Sequence, residues 1–255
     1  MRNEVNSISI IGSGNVAHHL GKAFSGIVKI NAVYSRNKVS AQELADELFV
    51  FHAENLEDLI PSDIFLVCVN DDEIYSIIEK LPENQAIVYT SGSVGLPDLP
   101  KRLNLGVLYP LQTFSKNRAL DLFQVPFFIE GTNEPFAQAI FDLAWTISRK
   151  VVFANSVDRK NLHLAGVLVN NFSNHIAFLA QQFLKEKSLE WEFLKPLIFE
   201  TAKKLQSDMP FNAQTGPALR HDSSTIEKHL NMLDPETKAI YKLITESIQA
   251  HHPIK

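Results

Sequence analysis

A pair of glycines close to the start of the chain is the clearest chemical signal in the sequence. Residues 7–17 read SISIIGSGNVA, in which Gly12, Gly14 and Ala17 have the spacing G-x-G-x-x-A. The first glycine allows a sharp turn off a strand, and the second lets backbone amides approach a pyrophosphate. The following helix offers unpaired N–H groups to an anion at its N-terminus. The dinucleotide-binding turn is therefore predicted to comprise Gly12, Ser13, Gly14, Asn15 and Val16.

The residues after the second predicted strand distinguish NAD from NADP. In NAD-binding sheets an acid about 20 residues beyond the glycines accepts hydrogen bonds from the ribose. Residues 33–37 read VYSRN and contain no acid. Ser35 can instead donate to a 2′-phosphate and Arg36 can meet its charge, which favours NADP. The alternative for Arg36 is a solvated loop charge.

Alternating strands and helices must position these residues. The sequence predicts strands at 7–11, 28–34, 48–51, 63–69, 86–90, 105–109, 126–129 and 151–153. The helices between them are predicted after Gly14, at 40–48 with Ser40 as cap, from Asn70 to Leu81, and at 133–148. The unbroken apolar run at 63–69 is typical of a strand buried on both faces of a parallel sheet. This order indicates an α/β fold with an open, doubly wound parallel (Rossmann) sheet.

The pattern changes after residue 155. Long helical patterns cover about 157–187, 190–206, 223–232 and 235–250, and no strand is predicted there. We therefore expect two domains, a Rossmann domain at 1–155 and an all-helical domain at 156–255.

Ligands of doubly wound sheets bind at the carboxyl ends of the strands. Val69 and Asn70 follow the fourth strand, and Ser91 and Gly92 follow the fifth, so all four are expected to line the cofactor. Asp71 fits either this edge or a helix N-cap. The single cysteine, Cys68, lies within the apolar run at 63–69. It is interpreted as a buried strand residue, with a reactive thiol as the alternative.

The helical part carries two further groups of polar residues. In a helix turning 100° per residue, His163, Asn170 and Asn174 share a narrow stripe, with Asn171 about 80° away. Such a stripe is either hydrogen-bonded within a core or lines a substrate pocket. The loop 215–222, TGPALRHD, places a cation and an acid two residues apart just before a helix. A surface ion pair is the alternative to a site there.

Composition excludes several classes of function. The 255 residues are 45% hydrophobic and 21% charged with a formal net charge of −5, typical of a globular protein and unlike a nucleic-acid binder. No apolar stretch is long enough for a membrane span, and no apolar signal region precedes the first strand. One cysteine precludes an internal disulfide, so a cytoplasmic location is expected. No metal site is predicted.

These motifs together resemble one family. They are Gly12-Ser13-Gly14-Asn15-Val16-Ala17, Val69-Asn70-Asp71, Ser91-Gly92, Tyr109-Pro110-Leu111-Gln112-Thr113-Phe114, His163-x-Ala165 with Asn171, and Thr215-Gly216-Pro217 with Arg220 and Asp222. The chain resembles, over nearly its whole length, bacterial Rossmann-like proteins with a C-terminal domain of unknown function (DUF2520). These are relatives of NADP-dependent β-hydroxyacid dehydrogenases, pyrroline-5-carboxylate reductases and ketopantoate reductases. The resemblance implies an NADP-binding Rossmann domain, a helical domain that forms a homodimer, and an active cleft between them.

The sequence departs from the family pattern at four places. Tyr109 and Thr90 stand where the family often has histidine, and His221 stands where it has the glycine of Arg-Gly-Asp. Val167 occupies the position of the lysine that lies four residues before the helix asparagine in hydroxyacid dehydrogenases. A mechanism with that lysine as acid and base is therefore not expected.

The leading hypothesis is an NADP-dependent oxidoreductase that transfers hydride between nicotinamide and a small carbonyl or imine substrate. His163 is the candidate acid and base, because histidine normally titrates near neutral pH. Asn171 would orient the substrate or the nicotinamide amide, and Arg220, steadied by Asp222, would bind a substrate carboxylate. Tyr109, Gln112 and Thr113 would line the cleft. The alternatives are a non-catalytic NADP-binding sensor or regulatory protein, and a structural dimer that has also lost phosphate binding.

Overall fold

The computed structural model describes residues 4–254 and contains a sheet of eight strands. The strands are β1 Ser7–Ile11, β2 Lys29–Tyr34, β3 Phe51–Ala53, β4 Ile64–Val67, β5 Ile87–Tyr89, β6 Leu105–Pro110, β7 Pro126–Gly131 and β8 Lys150–Phe153. The helices of this part are α1 Asn15–Ser25, α2 Lys38–Leu48, α3 Asp71–Lys80, α4 Glu134–Trp145 and α5 Ser156–Gly166. The strand order is β3-β2-β1-β4-β5-β6-β7-β8, which confirms the predicted α/β fold.

One pair of strands departs from the parallel pattern. β6 and β7 are antiparallel, whereas the other neighbouring strands are parallel. The described connection between β6 and β7 contains one 3-10 turn, Leu122–Gln124, and no longer helix. A parallel pair needs a longer crossover, usually through an α-helix, so the chain folds straight back.

The core lies on both faces of the sheet. Ile10 belongs to one buried cluster and its neighbour Ile11 to the other, because successive side chains of a strand point to opposite faces. In β4 all four residues are buried. The centre of the predicted strand at 63–69 is therefore covered on both faces, whereas Asp63 and Val69 lie outside the strand.

Two of the differences from the predicted element boundaries lie at the ends of α2. The cap of α2 is Asn37, whose side chain accepts a hydrogen bond from the Ser40 backbone N–H at 3.1 Å, so the expectation of Ser40 as cap was wrong. The third strand begins at Phe51 and not at Leu48. This shift arises because α2 runs on to Leu48 and ends with Phe49 in the left-handed conformation, at φ 57°.

The rest of the described chain is helical. A π-helical segment, Val167–Phe172, follows α5, and then come α6 Ser173–Glu186, α7 Lys195–Ser207, α8 Pro210–Ala213, α9 Ser223–Leu230 and α10 Pro235–His251. Contacts divide the chain into two compact units, here called the sheet unit (up to Asn170) and the helical unit (from Asn171). The division falls inside the π-helical segment, 15 residues beyond the boundary proposed from the sequence at 155/156. No helix of the described chain is long and apolar enough to cross a membrane.

The helical unit buries little of its own side-chain surface. Among its described residues only Ala218 and Thr245 are buried, whereas Phe199 is 72% exposed and Leu243 is 68% exposed. An apolar cavity of about 410 Å³ lies within this unit, between α6 and α10. Its walls include Ile176, Phe183, Ile240 and Ile248.

Candidate cofactor and catalytic site

The glycine turn closes tightly at Gly12. Its φ of +116° is a conformation that favours glycine, and a Cβ there would lie 2.1 Å from the carbonyl oxygen of Cys68. The Gly12 N–H donates to the Tyr34 carbonyl oxygen at 2.7 Å. The turn is thus held between the ends of β2 and β4, where only a glycine fits.

Gly14 supplies an open approach to α1. It is the N-cap residue of this helix and provides no side-chain cap, and a Cβ built on it would meet no described atom within 4 Å. The N–H groups of a first helical turn have no partners within the helix and are aligned with the positive end of its dipole. Residues 12–16 therefore have the geometry that an anionic pyrophosphate requires.

A cavity of about 260 Å³ extends from this turn along the ends of β2 and β4. Of the predicted cofactor residues, it is lined by Gly12, Ser13, Gly14, Ser35, Arg36, Val69 and Asn70. The seven lining residues that had not been predicted are Ile11, Tyr34, Asn37, Ser40, Cys68, Glu73 and Ile77. The turn, the open helix end and this cavity together fit a dinucleotide.

Three predicted residues have contacts away from this cavity. Asn15 donates to the Phe114 carbonyl oxygen at 2.9 Å and so ties α1 to the loop after β6. Gln112 accepts a hydrogen bond from the backbone N–H of Thr113 at 2.8 Å, and both residues lie in this loop. The loop is therefore fixed to α1 through Phe114.

The Cys68 thiol is buried, as expected. Burial in the apolar strand end raises its pKa to about 12, more than its hydrogen bond with Thr90 lowers it. The thiol is therefore neutral at physiological pH, which supports the structural interpretation over the reactive one.

A second cluster lies at the ends of β5 and β6. The Tyr109 hydroxyl and the Nδ1 atom of His163 are 3.0 Å apart, and the two rings meet edge to face with centroids 6.0 Å apart. A Cβ on Gly92 would lie 2.5 Å from Tyr109 and 2.8 Å from His163. Glycine at position 92 therefore leaves room for the two rings to meet, and this pair is the strongest candidate for proton chemistry in the sheet unit.

Burial also determines the protonation of Tyr109. Its side chain is 8% exposed, and burial raises the pKa of its hydroxyl above the ordinary value. A hydroxyl that stays neutral can donate to the Nδ1 of a neutral imidazole, and it can accept from the Nδ1–H of an imidazolium. Tyr109 is thus able to orient His163 in both of its protonation states.

Arg159 positions the loop on which Gly92 lies, and sequence reasoning missed it. Its side chain is fully buried and donates to Glu130 at 2.7 Å and to the Ser91 and Val94 carbonyl oxygens at 3.0 and 2.6 Å. Glu130 also accepts from the Ser156 N–H at 2.9 Å. Arg159 lies between Asp158 and Lys160 near the start of a helix, where charged residues normally face solvent. The sequence therefore gives no sign that Arg159 is buried.

Asp71 is bonded to the loop that follows β5. It is the first residue of α3, after the N-cap Asn70, and its carboxylate accepts a hydrogen bond from the Ser93 hydroxyl. Asp71 thus joins the ends of β4 and β5, in addition to placing negative charge in the first turn of a helix.

The polar stripe was calculated for a regular α-helix, and the structure breaks that regularity. The π-helical segment Val167–Phe172 contains Asn170 and Asn171, and its i→i+5 bonding turns less per residue. Asn170, Asn171 and Asn174 are all exposed, so the interpretation as a buried structural stripe was wrong. Segments of π-helix inside α-helices are frequent at functional sites.

The loop 215–222 of the helical unit has its own internal structure. Asp222 is the N-cap of α9 and accepts from the N–H and hydroxyl of Thr225 at 3.1 and 2.7 Å. These bonds, aided by the charge of Arg220, hold the pKa of Asp222 below its usual value. His221 is left-handed at φ 52°, and its Nε2 bonds to the His252 carbonyl oxygen at 2.7 Å. The arginine itself is exposed.

Comparison with known proteins identifies the family. Residues 7–91 match the family described as NADP oxidoreductase coenzyme F420-dependent, and residues 125–248 match DUF2520. A crystal structure from Bacteroides fragilis, provisionally described as an NADP oxidoreductase, is 37% identical, with 98% of this chain and 100% of that chain covered and a TM-score of 0.87. The chain belongs to this NADP oxidoreductase family. The predicted family and the predicted cofactor, NADP, are thereby confirmed at the level of the family.

More distant structures share the fold of this oxidoreductase. A Thermotoga maritima protein is 21% identical, with 97% of this chain and 100% of that chain covered and a TM-score of 0.82. The 1-pyrroline-5-carboxylate reductase of Streptococcus pyogenes is 17% identical, with 97% and 98% covered and a TM-score of 0.63. No curated protein matches the sequence.

Proposed function

We propose that this chain is a reductase that transfers hydride between NADPH and the carbonyl or imine carbon of a small substrate. The observation that carries the proposal is the pair of Tyr109 and His163 against Gly92, at the same sheet edge as the glycine turn. β1, β4, β5 and β6 are parallel, so their carboxyl ends share that edge. Ligands of doubly wound sheets bind along it.

The cofactor would be held by the glycine turn and the cavity beside it. The N–H groups at the start of α1 would bind the pyrophosphate, and Ser35 and Arg36 would bind the 2′-phosphate. Ser91 and Gly92, at the end of β5, would lie toward the nicotinamide. Bound NADPH would supply the hydride.

His163 would supply the proton that reduction of a carbonyl or imine also needs. As an imidazolium, His163 would donate its Nδ1–H to the neutral Tyr109 hydroxyl and pass its Nε2 proton to the substrate oxygen or nitrogen, which leaves a neutral imidazole. A positioned general acid of this kind contributes about 10²- to 10⁴-fold to the rate.

The helical unit would contribute substrate recognition. Arg220 is exposed and would bind a substrate carboxylate, and Asn171 would orient the reacting group. Asp222 would keep the loop in place as the N-cap of α9, since its hydrogen bonds go to Thr225. Gln112 and Thr113 would also contact the substrate.

The helical unit also supports assembly into a homodimer. Two buried residues among those described in this unit are too few for a core of its own, and large apolar side chains such as Phe199 and Leu243 are exposed. A second copy would cover them. Light scattering after gel filtration should give twice the mass of 28.7 kDa. A monomer at micromolar concentration would contradict this assembly.

A spectrophotometric screen of NADPH oxidation across keto acids and cyclic imines tests the proposed reaction. At least one substrate should consume NADPH, and NADP⁺ with the reduced product should run the reaction backwards. Tight NADPH binding without turnover of any substrate would instead indicate a sensor or regulatory protein. Absence of binding would leave only a structural role.

A further inference from the structure

The adenosine side of the cofactor cavity contains a carboxylate that the glycine pattern does not anticipate. Glu73, in the first turn of α3, lines the cavity opposite the end of β2 and forms an ion pair with Arg36. The carboxylate side chain is 18% exposed, whereas the arginine side chain is 68% exposed. Glu73 is therefore the more buried partner, and the exposed side chain of Arg36 extends toward it.

This ion pair involves the same arginine that would meet the 2′-phosphate of NADP. A guanidinium prefers bidentate contact with a phosphate or a carboxylate, and the phosphate of a monoester carries nearly two negative charges at pH 7. The two anions must therefore compete for one cation. NAD has a hydroxyl in place of this phosphate, so it does not compete with Glu73 for Arg36.

We propose that Glu73 limits the preference for NADP over NAD by competing with the 2′-phosphate for Arg36. When NADP binds, the Arg36–Glu73 pair opens and the guanidinium turns to the phosphate. When NAD binds, the pair stays closed. Glu73 thus weakens NADP binding selectively, and the chain binds the two dinucleotides with affinities closer than Ser35 and Arg36 alone would give. This inference rests on the proposed binding of NADP in the cavity.

Fluorescence titration of NADPH and NADH tests the inference without any substrate. Glu73→Gln keeps the shape of the side chain and removes its charge. The matched control is Glu79→Gln, because Glu79 lies on the same helix, is exposed and does not line the cavity. We expect E73Q to tighten NADPH binding about two- to fivefold, within the range typical of a partly exposed ion pair, and to change NADH binding less than about 1.5-fold.

The same titration with Arg36→Ala shows whether the effect passes through the arginine. R36A should weaken NADPH binding, and adding E73Q to it should then produce little further change. A gain that persists without Arg36 would overturn the competition, and so would an NADPH-to-NADH ratio in E73Q equal to that in E79Q. Binding of neither dinucleotide by the wild type would overturn the proposed function and this inference with it. If the wild type binds both dinucleotides and E73Q binds them with unchanged affinities, the role of Glu73 is overturned and the proposed function stands.

Discussion

The sheet unit and the helical unit differ in how many of their side chains are buried. The sheet unit buries apolar side chains on both faces of eight strands and holds even an arginine, Arg159, fully buried. The helical unit buries two of its described residues. The sheet unit carries the glycine turn and the Tyr109–His163 pair, whereas Asn171 and Arg220 lie in the helical unit. The comparison teaches that the candidate cofactor and proton-transfer residues are held by a buried framework, whereas the candidate substrate residues of the helical unit lie on an exposed surface.

Removing the charge of Glu130 should have the largest effect on the sheet unit. Glu130→Gln leaves the Arg159 guanidinium buried without its counter-charge, which typically costs about 3–5 kcal/mol of unfolding free energy. Denaturant unfolding followed by circular dichroism measures this loss. The control Glu43→Gln, at an exposed position of α2, should stay within about 0.5 kcal/mol of the wild type. A loss below about 1 kcal/mol for E130Q would mean that the sheet unit does not depend on the pair.

Tyr109→Phe should lower kcat about tenfold, equivalent to about 1.4 kcal/mol, because His163 loses the partner that orients it. The phenyl ring keeps the packing beside Gly92, so NADPH binding should change little. A purely structural role would lower stability and leave the pH profile of kcat unmoved, whereas an orienting role shifts the profile. Tyr75→Phe, at an exposed position of α3, is the matched control and should leave kcat unchanged.

His221 should show a smaller effect in the helical unit. His221→Ala keeps the left-handed backbone and loses the hydrogen bond to His252, so it should cost about 1 kcal/mol of unfolding free energy. His221→Gly loses the same bond but relieves the strain at φ 52°. H221G should therefore be more stable than H221A in thermal unfolding. The reverse order would contradict a strained backbone at this loop.

Cys68 should show no reactivity at all in the folded chain. Its pKa is raised to about 12, so at pH 8 the thiol is protonated, and its thiolate would become available only on unfolding or above that pH. Ellman's reagent should release no chromophore from native protein and one equivalent from protein in guanidinium chloride. Rapid reaction in the native state would show that the end of β4 is open to solvent.

The sequence predicted the parts of this structure that depend on local patterns. The glycine spacing located the turn at Gly12, and unbroken apolar residues located the doubly covered strand β4. These signals are local because backbone conformation and burial on two faces constrain neighbouring residues directly. Ser35 and Arg36, which were predicted to contact the 2′-phosphate, both line the cavity beside the glycine turn.

The parts that the sequence missed depend on contacts between distant segments. Glu73 meets Arg36 across 37 residues, and Arg159 meets Ser91 across 68. Neither helix position carries a signal, because a charged residue near a helix start normally faces solvent. The angles of the polar stripe could not be predicted for a different reason: the π-helical segment at Val167–Phe172 changes the angle per residue, and residue spacing does not show such a segment.

A single-turnover measurement of wild type and His163→Gln, saturated with NADPH and mixed with the best substrate from the screen, tests the central claim most directly. The account predicts that the two proteins bind NADPH with affinities within about twofold, while the rate of NADPH oxidation falls by at least about 10²-fold in H163Q. Equal oxidation rates in the two proteins would contradict the assignment of His163 as the proton donor.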